Sequence, residues 1–119
     1  MNDGVMNWWN NRSDEYYRGI HSQLERLKAD PTWAFPPVIW DMIRGAFPDL
    51  RGKRVLAPSS GDNFAVFGFY LLGAEVKSCD IAERQLANAK KIADVHGWNI
   101  EFYTSLRRQR NGRYHCQAI

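Results

Sequence analysis

Residues 53–80 read KRVLAPSSGDNFAVFGFYLLGAEVKSCD, and the order of residue types along them decides the fold. Val55, Leu56 and Ala57 are a short apolar run that predicts a strand. Pro58 to Asn63 is a turn cluster, because Pro, Gly and Asn each punctuate a chain. Phe64 to Leu72 is apolar on nearly every side, as a helix buried against a sheet would be. Gly73 stands where a left-handed C-cap is expected. Val76 to Cys79 predicts the next strand, with Asp80 at its carboxyl end. Ligands of open α/β sheets bind outside the carboxyl ends of the strands, so Gly61 and Asp80 are expected to flank one site.

Downstream, Ala82, Leu86, Ala89 and Ala93 recur at spacings of four, three and four, the pattern of a helix lying on a sheet. Gly97 reads as its C-cap, and Trp98 to Tyr103 as a third strand with Ile100 and Phe102 on one face. The alternation of strands and helices predicts an α/β fold. Its three parallel strands, near 54–57, 75–79 and 99–103, are ordered 3-2-1 and joined by right-handed crossovers. Upstream, Tyr16, Ile20, Leu24 and Leu27 follow helical spacing, with Ser13 or Asp14 able to cap the start. Three prolines break residues 31–37, and Pro37 suits the first turn of a further helix. That helix carries the apolar stripe Val38, Ile39, Met42, Ile43, Ala46 and Phe47 before Pro48 ends it. Trp33, Phe35 and Trp40 read most simply as core or loop anchors, with a substrate role for Trp33 as the alternative.

At 119 residues the chain is one domain at most. No window of 18 uncharged apolar residues predicts a membrane span. The polar start Met-Asn-Asp-Gly carries no positive segment of a signal peptide, so a cytoplasmic location is the default. Cys79 and Cys116 give neither a disulfide framework nor metal-ligand spacing, so no metal is expected. The net charge of +3 comes from Arg107, Arg108, Arg110 and Arg113 in the last 14 residues. Without these four, 12 basic and 13 acidic residues remain, a net charge of −1. The body is therefore not basic and argues against a nucleic-acid partner; the end of the chain alone has the charge of a polyanion-binding arm.

Two cofactor chemistries use a strand–loop–helix–strand unit of this kind. A dinucleotide site needs three glycines, and here those positions hold Ser59, Gly61 and Phe64. The Asp62 carboxylate would also oppose a pyrophosphate. The loop instead resembles motif I of class I S-adenosylmethionine-dependent methyltransferases, G-x-G-x-G, with Ser59, Gly61 and Asn63 at the three glycine positions. Ser is small and Asn tolerates positive φ. The likeness runs from about Trp8 to Ser105. It is nearest to bacterial small-molecule methyltransferases of the type-11 kind, through the runs Val55 to Ala65 and Cys79 to Leu86. Where that family usually opens the motif with an acid, this chain has Ala57.

The resemblance implies a partial Rossmann-like fold and a cofactor, S-adenosyl-L-methionine, held by Ser59, Ser60, Gly61, Asp62, Asn63, Asp80 and Ile81. Ser59, Ser60 and Gly61 would meet the methionine part through backbone, and Ile81 would pack on the adenine. Asp80 would accept hydrogen bonds from the ribose hydroxyls, a charge-assisted contact; its spacing of 19 residues from Gly61 suits that role. The competing role for Asp80 is that of a strand-end acid capping the next helix. Trp8, Trp9 and Tyr16 are candidates for a lid, or else packing residues. The implied acceptor of the methyl group is a small molecule, and no general base can be named.

The expected division is residues 1–52 as a helical cap or lid, 53–105 as the cofactor half, and 106–119 as a basic irregular tail resembling an out-of-frame or truncated end. The first strand is then expected to present an open edge, leaving the chain marginally stable or self-associated and without methyl transfer of its own. The alternative is a catalytically incomplete remnant or assembly module whose partner completes the sheet.

Overall fold

The computed structural model describes residues 4–8, 20–58, 64–108 and 114–119, with the backbone alone for 105–108 and 114–117. After helical residues 4–8 come α1 (His21–Ala29), a 3-10 turn (Pro31–Ala34) and α2 (Pro37–Ala46). Then follow β1 (Arg54–Pro58), α3 (Phe64–Leu71), β2 (Glu75–Asp80), α4 (Glu83–His96), β3 (Glu101–Arg108) and β4 (Tyr114–Ala118). The fold is mixed α/β, as expected. β1 pairs parallel with β2, and β2 parallel with β3. The sheet order is β1-β2-β3-β4, so the first three strands lie in the expected order.

The irregular tail expected after residue 105 is corrected by the structure. β3 runs on to Arg108, and β4 returns antiparallel along it, pairing Tyr103 with Ala118 and Arg108 with Tyr114. Main-chain hydrogen bonds make such a ladder whatever side chains it carries. β4 does alternate, with Tyr114, Cys116 and Ala118 against His115 and Gln117, but the pattern is only five residues long and follows an arginine-rich stretch. β3 also begins later than expected, at Glu101, after a turn in which the Ile100 N–H bonds to the Trp98 carbonyl at 3.0 Å.

Successive strand residues face opposite sides of a sheet. On one side lie Val55 and Ala57 of β1, Val76 and Ser78 of β2, and Phe102 and Thr104 of β3, all buried or half-buried. α3 and α4 pack on this side, where Val66, Phe67, Leu86, Ala89 and Ile92 join Val76 and Phe102 in one core that also takes in Ile20, Leu24 and Leu27. The other side presents Arg54, Leu56, Pro58, Glu75, Lys77 and Glu101, all exposed. Parallel sheets are ordinarily covered on both faces; here, among the described residues, one face is bare, and Leu56 is 67% exposed on it.

Both glycine stops expected from the sequence occur. At the end of α3, Gly73 has φ +97°, its N–H bonds to the Tyr70 carbonyl, and the Ala74 N–H reaches back to Phe69 at 3.1 Å. Gly97 ends α4 in the same paired pattern, the Trp98 N–H reaching the Ala93 carbonyl at 2.8 Å. These are Schellman closures, which satisfy carbonyls that a helix end leaves open. α3 is held from its other side by the 3-10 turn. The Phe35 ring meets Phe69 edge-on at 4.9 Å, and Trp33 lies 5.8 Å from the Phe64 ring with the Arg26 guanidinium 4.6 Å above it. The anchoring role of Trp33 and Phe35 is accounted for by these contacts.

The stripe of α2 is different. None of its residues is buried; Val38 is 71% and Met42 67% exposed. Pro37 starts the helix and its apolar residues share a side, yet among the described residues nothing covers them fully.

Candidate functional site

The carboxyl ends of the parallel strands are brought level by the register. Pro58 stands opposite Cys79, and Asp80 opposite Thr104. β3 continues four residues beyond that level, roughly 13 Å at the usual rise per residue. Together with β4 it forms a two-stranded wall beside the end of β2. Arg107 and Arg108 lie on this extension of β3.

Asp80 is half-buried at the end of β2, and its Oδ1 accepts the Ala82 N–H at 3.1 Å. This bond closes the turn into α4, whose N-cap position, Ala82, has no side-chain cap of its own. The contact is an Asx turn to the N–H of the N-cap residue and not a cap on the open N–H groups of α4, so the capping role weighed for Asp80 is not what the bond does. It also fixes the carboxylate's direction, and a carboxylate has about four lone-pair positions, of which this bond takes one. Ile81 follows at 36% exposure, its apolar side chain open at the strand end.

The other expected site residues fare unequally. Ser59, Ser60, Gly61, Asp62 and Asn63 lie outside the described residues, as do the lid candidates Trp9 and Tyr16. Trp8 lies on helical residues 4–8 and is half exposed. The structure thus brings Asp80 and Ile81 together at one strand end, with β1 ending at Pro58 on one side and Thr104 on the other.

Three buried polar side chains escaped the hydrophobic pattern: Ser78, Asn88 and Thr104. Each has a bonding partner, as buried polar groups generally do. Ser78 and Thr104 belong to the inward set with Val76 and Phe102, so the period of two could have singled them out as polar residues at core positions. Asn88 sits on the core side of α4 between Leu86 and Ala89.

The bare face carries its own charged network. Lys77 Nζ lies 3.5 Å from Glu101, and the Tyr103 hydroxyl donates to the same Glu101 oxygen at 2.8 Å. The Tyr103 hydrogen bond, then the nearby Lys77 charge, hold the Glu101 carboxyl below its usual range. The Glu101 carboxylate in turn pushes the Tyr103 phenol up.

Clefts formed by described residues lie toward the other end of the strands. One, of about 510 Å³, opens between α2 and the outer edge of β1, lined by Met42, Ala46, Phe47, Arg54, Val55 and Leu56 among others. Another, of about 740 Å³, runs by Arg54, Glu75, Lys77, Asn99 and Glu101. Neither includes Asp80 or Ile81. No helix among the described residues is long and apolar enough to cross a membrane.

No protein-family model matches the chain, and no curated protein matches it.

Proposed function

We propose that the chain is the cofactor-binding half of a Rossmann-like methyltransferase and binds S-adenosylmethionine at the carboxyl ends of β1 and β2, for methyl transfer to a small-molecule acceptor. The observation that carries this proposal is Asp80. It stands at the end of the second parallel strand, half-buried, with one oxygen fixed by the Ala82 N–H. The remaining lone pairs suit two adjacent ribose hydroxyls, and the open side chain of Ile81 suits the flat face of adenine. An acid and an apolar side chain fit a nucleoside that bears a sulfonium and no phosphate. Residues 59–63 supply the rest of the contact in this proposal, through the small side chains and backbone of Ser59, Ser60 and Gly61.

When bound, the sulfonium supplies an electrophilic methyl group, and transfer then depends on in-line positioning of the acceptor. This chain's residues bind and orient. Thr104 and Ser105 follow the segment expected as the third strand, level with the end of β2, where the resembling family carries an acid for the adenine amino group. Binding without turnover is accordingly the expected behaviour of the 119-residue chain. Calorimetric titration with S-adenosylhomocysteine and, separately, with NAD tests the proposal. Saturable binding of the first and background heat from the second support it; the reverse order removes it.

A second reading, an assembly module completed by another chain, is favoured by the position of β1 at the edge of the described sheet and by the exposure of Leu56.

A further inference from the structure

We infer that the outer edge of β1 pairs antiparallel with the β1 edge of a second copy of this chain, about a two-fold axis at Leu56. The inference is independent of the cofactor proposal.

The backbone of β1 shows which groups are on offer. The Glu75 N–H bonds to the Lys53 carbonyl at 2.8 Å, so the polar groups of Lys53 point toward β2. The N–H and C=O of one strand residue share a side, and successive residues alternate. Those of Val55 and Ala57 therefore also serve β2, while those of Arg54, Leu56 and Pro58 point to the outer edge. β1 is the outermost strand of the described sheet. The edge thus holds two donors, Arg54 and Leu56, and three acceptors; proline contributes no N–H.

This pattern is self-complementary. Two copies of one edge, meeting in a continuous sheet with the same face up, can only run antiparallel. Centred on Leu56, the two leucines exchange both of their backbone bonds. Each Arg54 N–H then meets the Pro58 carbonyl of the other copy, which makes four bonds, and the absent Pro58 N–H costs nothing beyond an Arg54 carbonyl left to water. A register centred on Val55 also makes four bonds. It sets Arg54 diagonal to its own symmetry mate, about 7–8 Å apart, where like charges repel. The Leu56 register places the two arginines four residues apart along the strands and sets two exposed leucines side by side instead.

The surroundings match. The cleft of about 510 Å³ borders this edge, and its residues Met42 and Phe47 are open to solvent beside Leu56. A strand laid along β1 enters that cleft and covers them. Lys53 and Arg54 are its charged lining residues, with no acid among the lining. A foreign strand suited to it would carry an acid, and that is the competing occupant.

Size-exclusion chromatography with light scattering of the 119-residue chain, from micromolar to hundreds of micromolar, reads the outcome. A mass of two chains is expected at the upper concentrations. Leu56→Lys puts like charges directly opposite and should weaken dimerisation by about tenfold or more, with the circular dichroism spectrum and melting of the monomer retained. Leu56→Cys should form an interchain disulfide on oxidation, because hydrogen-bonded antiparallel pairs have Cα atoms about 5.5 Å apart, within disulfide range. Arg54→Cys should not. A parent that stays monomeric throughout, including one that binds an acidic apolar peptide strand instead, overturns the inference. So does a dimer indifferent to Leu56→Lys, or crosslinking by Arg54→Cys in preference to Leu56→Cys.

Discussion

Gly68 of α3 lies against Ala34 of the 3-10 turn so closely that a Cβ on Gly68 would come within 2.6 Å of the Ala34 Cβ. The Pro31 carbonyl would be 3.1 Å away and the Phe35 ring 3.2 Å. The missing side chain is what lets Trp33 and Phe35 reach α3.

Gly68→Ala is therefore expected to destabilise the fold, although alanine is the better helix former by about 1 kcal/mol. Overpacking costs ~1–3 kcal/mol, and the neighbour met at 2.6 Å is a short, rigid side chain. Urea unfolding would show a lower midpoint at unchanged slope. A more stable variant would mean that the turn moves away freely.

Asp80 separates two roles through two substitutions. Asp80→Ala removes the acceptor of the Ala82 N–H and should cost ~1 kcal/mol of stability, the net worth of one hydrogen bond. It should also weaken S-adenosylhomocysteine binding by ~1.5–3 kcal/mol, the worth of hydrogen bonds to a charged group. Asp80→Asn keeps an acceptor for Ala82, so stability should be retained while binding weakens. Equal ligand affinity in all three proteins would take Asp80 out of the site and leave it as the acceptor that closes the turn into α4.

Core and surface apolar residues should answer oppositely. Leu27 is fully buried in the core, and Leu27→Ala should cost ~2–5 kcal/mol. Val38 is 71% exposed on α2, and Val38→Gln should stay within about 0.5 kcal/mol. Thermal melts of the two variants check this, and a costly Val38→Gln would show that α2 is covered in solution.

Asp49 titrates low. Its side-chain and backbone hydrogen bonds with Arg51 bring its carboxyl down to about 2. The folded value lies below that of the unfolded chain, about 3.9. Whatever stability the pair contributes is present above about pH 4 and is lost as pH falls toward 2. NMR titration of the carboxyl should show a midpoint near 2, returning toward the ordinary value in Arg51→Ala. An unchanged midpoint in that variant would place the cause elsewhere.

The parts of the fold most legible in the sequence were the stretches 54–58 and 64–80. There an apolar run, a wholly apolar helix and Gly73 occur with no competing pattern. Gly97 and the pair Ile100 and Phe102 were as clear. β4 was not, because its pairing is made by main chain and its flank is arginine-rich. The α2 stripe was read correctly as a stripe, but periodicity tells which side of a helix is apolar and not whether anything lies against it. Ser78, Asn88 and Thr104 escaped because hydrophobicity patterns look past polar residues in core positions. At the site, the place of Asp80 at a strand end was legible from spacing. Its bond to Ala82 depends on the turn into α4, which spacing does not describe.

The order of strands in the sheet is also their order in the chain. Among the described strands none has to wait for a later one before it finds its neighbour, and none has to be threaded between two already paired. Each crossover closes a loop of modest length, so the entropy of loop closure is met in small steps. A chain of this kind can fold vectorially as it leaves the ribosome, β2 docking on β1 and β3 on β2, with N-terminal parts structured first. The newest strand is then always the growing margin, and among the described strands β4, folding back on β3, joins it after the other three.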